Sequence, residues 1–124
     1  MHKTCLKMHL IFVCKYRKKL LVKFGEPVKD IFLSIQEGRD FKILVMEVDT
    51  DHIHFLIEYE PTVSVTQIVR CLKQESTKLL WNSFAPYLSK CFWREHTFWS
   101  DGYFASSVGD VSAETVRKYI ESQG

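Results

Sequence analysis

The sequence predicts an α+β domain in which strands and helices alternate as βαββαβα, and three features carry that prediction. Four short segments are rich in β-branched and aromatic residues, as strands are. Between and after them lie stretches whose apolar residues recur at i, i+3, i+4 and i+7, the spacing of a helix with one buried face. Two strand segments, FKILVMEV at 41–48 and HIHFLIEY at 52–59, are joined only by Asp49 to Asp51, which reads as a hairpin connection. A chain of 124 residues, 46% hydrophobic and 14% aromatic, can bury one core. It has no linker rich in Gly, Ser or Pro, so a single domain over residues 1–124 is expected.

The first strand is expected from His9 to Tyr16, running straight into the basic turn KYRKKLL. Pro27 is placed to open the first helix, because its fixed φ suits a first helical turn. Val28, Ile31, Phe32 and Ile35 then form the apolar stripe, and Gly38 closes it. After the hairpin, Ser64 and Gln67 have the spacing of a capping box, in which each side chain satisfies the other's exposed backbone N–H. A long helix to about Asn82 follows, with Ile68, Val69, Leu72, Leu79 and Leu80 as its apolar positions. The segment TFWSDGYFASSVG offers the fourth strand, and Ser112 can cap a last helix that carries Tyr119. Assembled, the elements give a ferredoxin-like, RRM-like pattern: one four-stranded antiparallel sheet, helices on one face, and a C-terminal tyrosine helix. The other face is left for function.

The formal net charge of +2 does not demand a polyanionic partner, so a nucleic-acid role must come from local clustering. Cys5, Cys14, Cys71 and Cys91 form no CxxC pair, which speaks against a zinc knuckle or a disulfide framework and for reduced thiols in a cytoplasm. The N-terminal apolar run is too short and interrupted for a signal peptide, and no segment reaches the length of a membrane span. A soluble cytoplasmic protein with no membrane partner is expected.

His52 and His54 are the first candidates for chemistry. On a strand, residues two apart point to the same face, so the two imidazoles project together while Ile53 and Phe55 turn the other way. The spacing alone is weak, since a strand histidine is usually packed or solvated. Asp49 and Asp51 just before the pair could orient the rings. Tyr119 and Gln123 are four apart and share one helix face, where Ser112, Thr115, Tyr119 and Gln123 form a polar strip beside the apolar Ala113, Val116 and Ile120. Tyr119 fits equally the edge of a core or a nucleophile, whose phenolic proton, with an ordinary pKa of about 10, is easier to lose beside a bound cation. Two imidazoles alone favour zinc, whereas an amide oxygen together with phosphate oxygens suits magnesium or manganese. The basic turn Lys15, Tyr16, Arg17, Lys18 and Lys19 interleaves an aromatic ring with cations, as a nucleic-acid contact or a solvated hairpin tip would. Arg70, Lys73 and Lys78 could extend that surface along the long helix, although a charged helix face needs no ligand.

Taken together, HLIFVCKYRKKLL, DHIHFLIEYEP and FWSDGYFASSVGDVSAETVRKYIESQ resemble the HUH endonucleases, and more closely the single-tyrosine transposases of bacterial and archaeal insertion sequences. The resemblance spans nearly the whole chain. It implies that His52, His54 and Gln123 hold Mg2+ or Mn2+ and that Tyr119 attacks single-stranded DNA at hairpin-marked element ends. The product would be a 5′-phosphotyrosine and a free 3′-hydroxyl, a stored bond that lets rejoining proceed without ATP. It also implies a homodimer in which the tyrosine helix of one subunit can complete the other's site. Relatives usually continue beyond the position of Gly124, so a shorter tail is expected to loosen the tyrosine helix. Two other readings remain open from the residues themselves: a metal nuclease that activates water, and a non-catalytic module that binds RNA or DNA through stacking aromatics.

Overall fold

The computed structural model describes residues 5–107 and 113–123. Four strands, β1 (Leu6–Val13), β2 (Phe41–Val48), β3 (His52–Tyr59) and β4 (Phe104–Ser107), form one antiparallel sheet in the order β2-β3-β1-β4. Helices α1 (Leu21–Gln36) and α2 (Val65–Cys91) cover one face, and α3 (Ala113–Ser122) lies on the other.

The alternation of β1 and β3 decides the two faces. Met8, Leu10 and Phe12 of β1 and Ile53, Phe55 and Ile57 of β3 point into the main core, where Phe24, Val28, Phe32 and Ile35 of α1 and Ile68, Leu72 and Leu80 of α2 meet them. Phe12, Phe32, Phe55 and Trp99 form an aromatic centre, with Phe32 and Phe55 edge-to-face at 5.0 Å. The opposite parity of β1 supplies Ile11 and Val13 to a smaller cluster with Ile120, flanked by Phe104, Val116 and Tyr119. In β2 the ladder is interrupted by a β-bulge between Ile43 and Val45. Phe41 and Ile43 face the core before it, Leu44 and Val45 are both exposed, and Met46 and Val48 return inward after it.

Several boundaries differ from the sequence reading. β1 begins at Leu6 and ends at Val13, and Lys15–Arg17 forms a tight 3-10 turn instead of extending the strand. α1 starts at Leu21, six residues before Pro27, because Leu21 and Phe24 continue the apolar stripe and their burial outweighs the one backbone hydrogen bond that proline removes. α2 passes Asn82 and reaches Cys91, carried through Pro86 by a break at Phe84 and anchored by buried Leu88. The predicted capping box is present: Ser64 Oγ accepts from Gln67 N and Gln67 Oε1 accepts from Ser64 N. The fourth strand is confined to Phe104–Ser107; upstream of it, Trp99 makes a single bridge to Cys14, and 108–109 lie outside the described residues. Ser112, expected to cap α3, also lies outside them.

Candidate active site

β3 presents His52 and His54 on the same face, both half-buried, while Ile53 and Phe55 point into the core. The register places Val13 opposite His52 and Ile11 opposite His54 on β1, with Glu47 of β2 on the other side of His54. Directly opposed residues share a face, so these side chains surround the imidazoles.

Each ring has a distinct partner. His52 Nδ1 lies 2.9 Å from Asp51 Oδ1. A carboxylate can only accept, so Nδ1 carries the proton and Nε2 offers its lone pair outward. Asp51 also accepts from Arg17 Nε at 3.4 Å. Burial alone would raise the Asp51 pKa, but the hydrogen bonds from His52 and Arg17 outweigh it and hold the carboxyl below its ordinary value. His54 Nε2 lies 3.0 Å from Nδ1 of His9, with the rings stacked at 5.1 Å. Burial pushes the His54 imidazole below its ordinary pKa and His9 adds to that, while Glu47 opposes it. Asp49, by contrast, turns to the backbone N–H of Thr50.

α3 rests on β1 and β4 through Ile120, Val116 and Tyr119, against Ile11, Val13 and Phe104. It therefore occupies the histidine face, one strand away from His52 and His54. Its polar strip reaches the loop that follows Trp99. A Cβ placed on Gly102 would lie 3.6 Å from Tyr119 Oη and 3.6 Å from Gln123 Oε1, so both groups converge on this glycine. Among the described residues, neither Tyr119 Oη nor Ser100 Oγ, both buried, makes a well-formed hydrogen bond, although the Ser100 hydroxyl lies close enough to the phenol to interact with it. Burial raises the Tyr119 pKa, and the nearby Ser100 hydroxyl pulls the other way. A buried hydroxyl so poorly satisfied is uncommon and calls for a reason. Ser100 N donates to Val13 O at 2.7 Å, so phenol, β1 and His52 lie in sequence across the sheet. Among the described residues, no hydrogen bond or ring contact joins Tyr119 or Gln123 to either histidine, and no three His, Cys, Asp or Glu side chains converge on one point.

The family described as "Transposase IS200 like" matches residues 2–123. The chain belongs to this family. Two relatives are the ISDra2 transposase TnpA of Deinococcus radiodurans, 31% identical over 119 residues, and the transposase for insertion sequence element IS200 of Salmonella typhimurium, 33% identical over 120. These matches cover 95% and 94% of this chain and 84% and 76% of the relatives. A crystal structure of a Deinococcus radiodurans protein assigned as a transposase superposes with a TM-score of 0.87 at 28% identity, covering 98% of this chain and 93% of that one. The REP-associated tyrosine transposase bound to a REP hairpin shares the fold, with a TM-score of 0.60 at 13% identity, covering 98% of this chain and 66% of that one.

In this IS200-like transposase the predicted cations are placed unequally. Lys15 pairs with Asp101 at 3.2 Å, Arg17 with Asp51, and Tyr16 donates to Glu95 at 2.9 Å, whereas Lys18 and Lys19 make no ion pair among the described residues. Lys73 is turned inward. Its Nζ donates to the carbonyls of Ser100, Asp101 and Gly102 at 2.7, 3.2 and 2.7 Å, and burial pulls its pKa down to about 8. Arg70 and Lys78 are exposed, and Lys78 lines a cleft of ≈ 480 Å³ beside Trp81, His96 and Ser100. The four cysteines are free, and burial pushes the Cys14 thiol up to about 12, which removes it as a nucleophile. No helix among the described residues is long and apolar enough to cross a membrane. His9, Ser100 and Gly102 were not singled out from sequence. A third histidine of outward parity on the neighbouring strand was the available signal for His9; the loop residues gave none.

Proposed function

We propose that residues 1–124 form one HUH nuclease domain that cuts and rejoins single-stranded DNA at hairpin-marked element ends, with Tyr119 as nucleophile. The observation that carries this reading is the buried phenol, without a well-formed hydrogen bond among the described residues, set beside Gln123 Oε1 on a helix laid over the histidine face. A hydroxyl held in that state has little internal hydrogen bonding to lose before it reacts. Tyr119 Oη forms the new O–P bond as its proton departs, the P–O3′ bond breaks, and the leaving strand takes up a proton as its 3′-hydroxyl. The 5′-phosphotyrosine retains the bond energy, so attack by a 3′-hydroxyl reverses the step.

His52, His54 and Gln123 would hold Mg2+ or Mn2+. The Asp51–His52 pair fits that role, because a carboxylate behind one ring nitrogen orients the other toward an ion. An amide oxygen and substrate oxygens complete a hard donor set that two imidazoles leave unfinished. The ion supplies charge neutralisation at the phosphate oxygens. The absence of any hydrogen bond or ring contact from Tyr119 or Gln123 to the histidines among the described residues supports a homodimer in which α3 serves the partner's histidines. We place this activity in the cytoplasm.

A labelled single-stranded hairpin substrate with magnesium tests the reading. Wild type should yield a protein–DNA adduct that survives denaturing electrophoresis, and Tyr119→Phe should yield none. An adduct that persists in the phenylalanine variant would sink the assignment. Cleavage with no bound product would favour activated water instead.

A further inference from the structure

The turns that follow β1 and α2 are joined into one surface. Tyr16 Oη donates to both carboxylate oxygens of Glu95 at 2.9 and 3.2 Å, the Tyr16 ring lies 6.3 Å from Phe92, and Lys18 Nζ stands 5.8 Å over that same ring. The turn after β1 and the turn after α2 are thereby held together. Between Phe92, 3% exposed, and Glu95 lies Trp93, which is 80% exposed. The other two tryptophans, Trp81 and Trp99, are 7% and 4% exposed. Trp93 therefore stands outside a core that takes in every other indole. Arg94 places its guanidinium 4.7 Å from the Trp93 ring centre.

The backbone shows that this presentation is imposed. The non-glycine residues with positive φ among the described residues are Tyr16 (59°), Arg17 (53°) and Arg94 (59°), all in these two turns. Each costs on the order of 1 kcal/mol relative to an ordinary conformation. Lys18, Lys19 and Arg94 make no ion pair among the described residues, so their charge remains available to a ligand.

We propose that Trp93 and Arg94, backed by Lys18 and Lys19 on the adjoining turn, form a stacking site for an unpaired nucleobase and its flanking phosphates. An indole offers a flat face to any base, and the cations neutralise the backbone on either side. A protein partner would call for a contiguous apolar patch, whereas here the exposed ring is bordered by cations. This inference rests on the nucleic-acid reading above and names the feature of the DNA, an unpaired base in a loop or flank, that the surface reads.

The test compares a DNA hairpin carrying 2-aminopurine at its unpaired positions with a blunt duplex of the same stem. Trp93→Ala should bind the hairpin about 10- to 100-fold more weakly, the range for one lost base–aromatic stack. It should leave duplex affinity unchanged, and Trp93→Phe should recover most of the loss. Replacing Lys18 and Lys19 by Ala should weaken both probes and flatten the salt dependence. Unchanged hairpin affinity in Trp93→Ala would overturn the proposal, as would equal loss on the duplex. So would conversion of a dimer to a monomer with DNA binding intact, which would assign the patch to a subunit interface. At saturating DNA, Trp93→Ala should still form the Tyr119 adduct. A stacking effect without any wild-type adduct would remove the nuclease reading alone; an adduct without the stacking effect would remove this one alone.

Discussion

Asp51 links His52 to the stability of the molecule. It is 9% exposed and meets His52 through one oxygen and Arg17 through the other. Because its folded pKa lies below its ordinary value, the stabilisation is fully present above that ordinary value, about 3.9, and is lost as pH falls through the lower folded one. Arg17 is partly open to solvent, so most of the effect comes from His52. Asp51→Asn should lower unfolding free energy by about 1–2 kcal/mol at pH 7 in denaturant melts. The gap should begin to narrow as pH falls below about 4 and close below the lower folded pKa. A gap of the same size at pH 3 would show that the carboxylate charge is not its source. The pairing of His52 and His54 on one face was legible because strand period is two, and Asp51 was legible as an adjacent acceptor. His9 was not, since its approach to His54 depends on the β1–β3 register, which no local pattern encodes.

The elements that carry the site are held together by α2 as much as by the sheet. Lys73 extends from that helix to three carbonyls of 100–102, the loop on which Tyr119 and Gln123 converge. Sequence alone made it a candidate DNA contact, because helical spacing with Arg70 and Lys78 says nothing about which cation the neighbouring loop will cover. Lys73→Met should keep the helix and lose the tie. We expect a loss of about 1–2 kcal/mol in stability by thermal or denaturant melts. Adduct formation should slow by more than that loss of folded protein explains, and a variant with unaltered adduct kinetics would reduce the lysine to a packing role. Helix lengths were the least legible feature. Pro27 read as a helix start and Asn82 as a helix end, yet both lie inside helices because buried Leu21, Phe24 and Leu88 extend the apolar stripe past them.

Across the whole molecule, the sheet separates labour: α1 and α2 bury one face, and the His52–His54 pair and α3 occupy the other. That division was readable from strand alternation, whereas the placement of α3 was not, since its foothold on Ile11, Val13 and Phe104 joins distant segments. Keeping the two faces distinct depends on β2 staying in step with β3. With uninterrupted pairing from Ile43 onward, Met46 would stand opposite His54 and Glu47 would enter the core against Ile53. Leu44 is the spare residue that prevents this, a shim that resets the frame so that Glu47 keeps company with an imidazole and Met46 with Phe55. Deleting Leu44 should consequently leave the reading frame of the rest of the strand untouched and yield a folded protein that retains adduct activity. Deleting Met46 should be absorbed by closure of the same bulge, with Val45 turning inward opposite Phe55 and Glu47 still opposite His54, so the protein should keep a cooperative melt at lower stability because a smaller side chain fills the Met46 site.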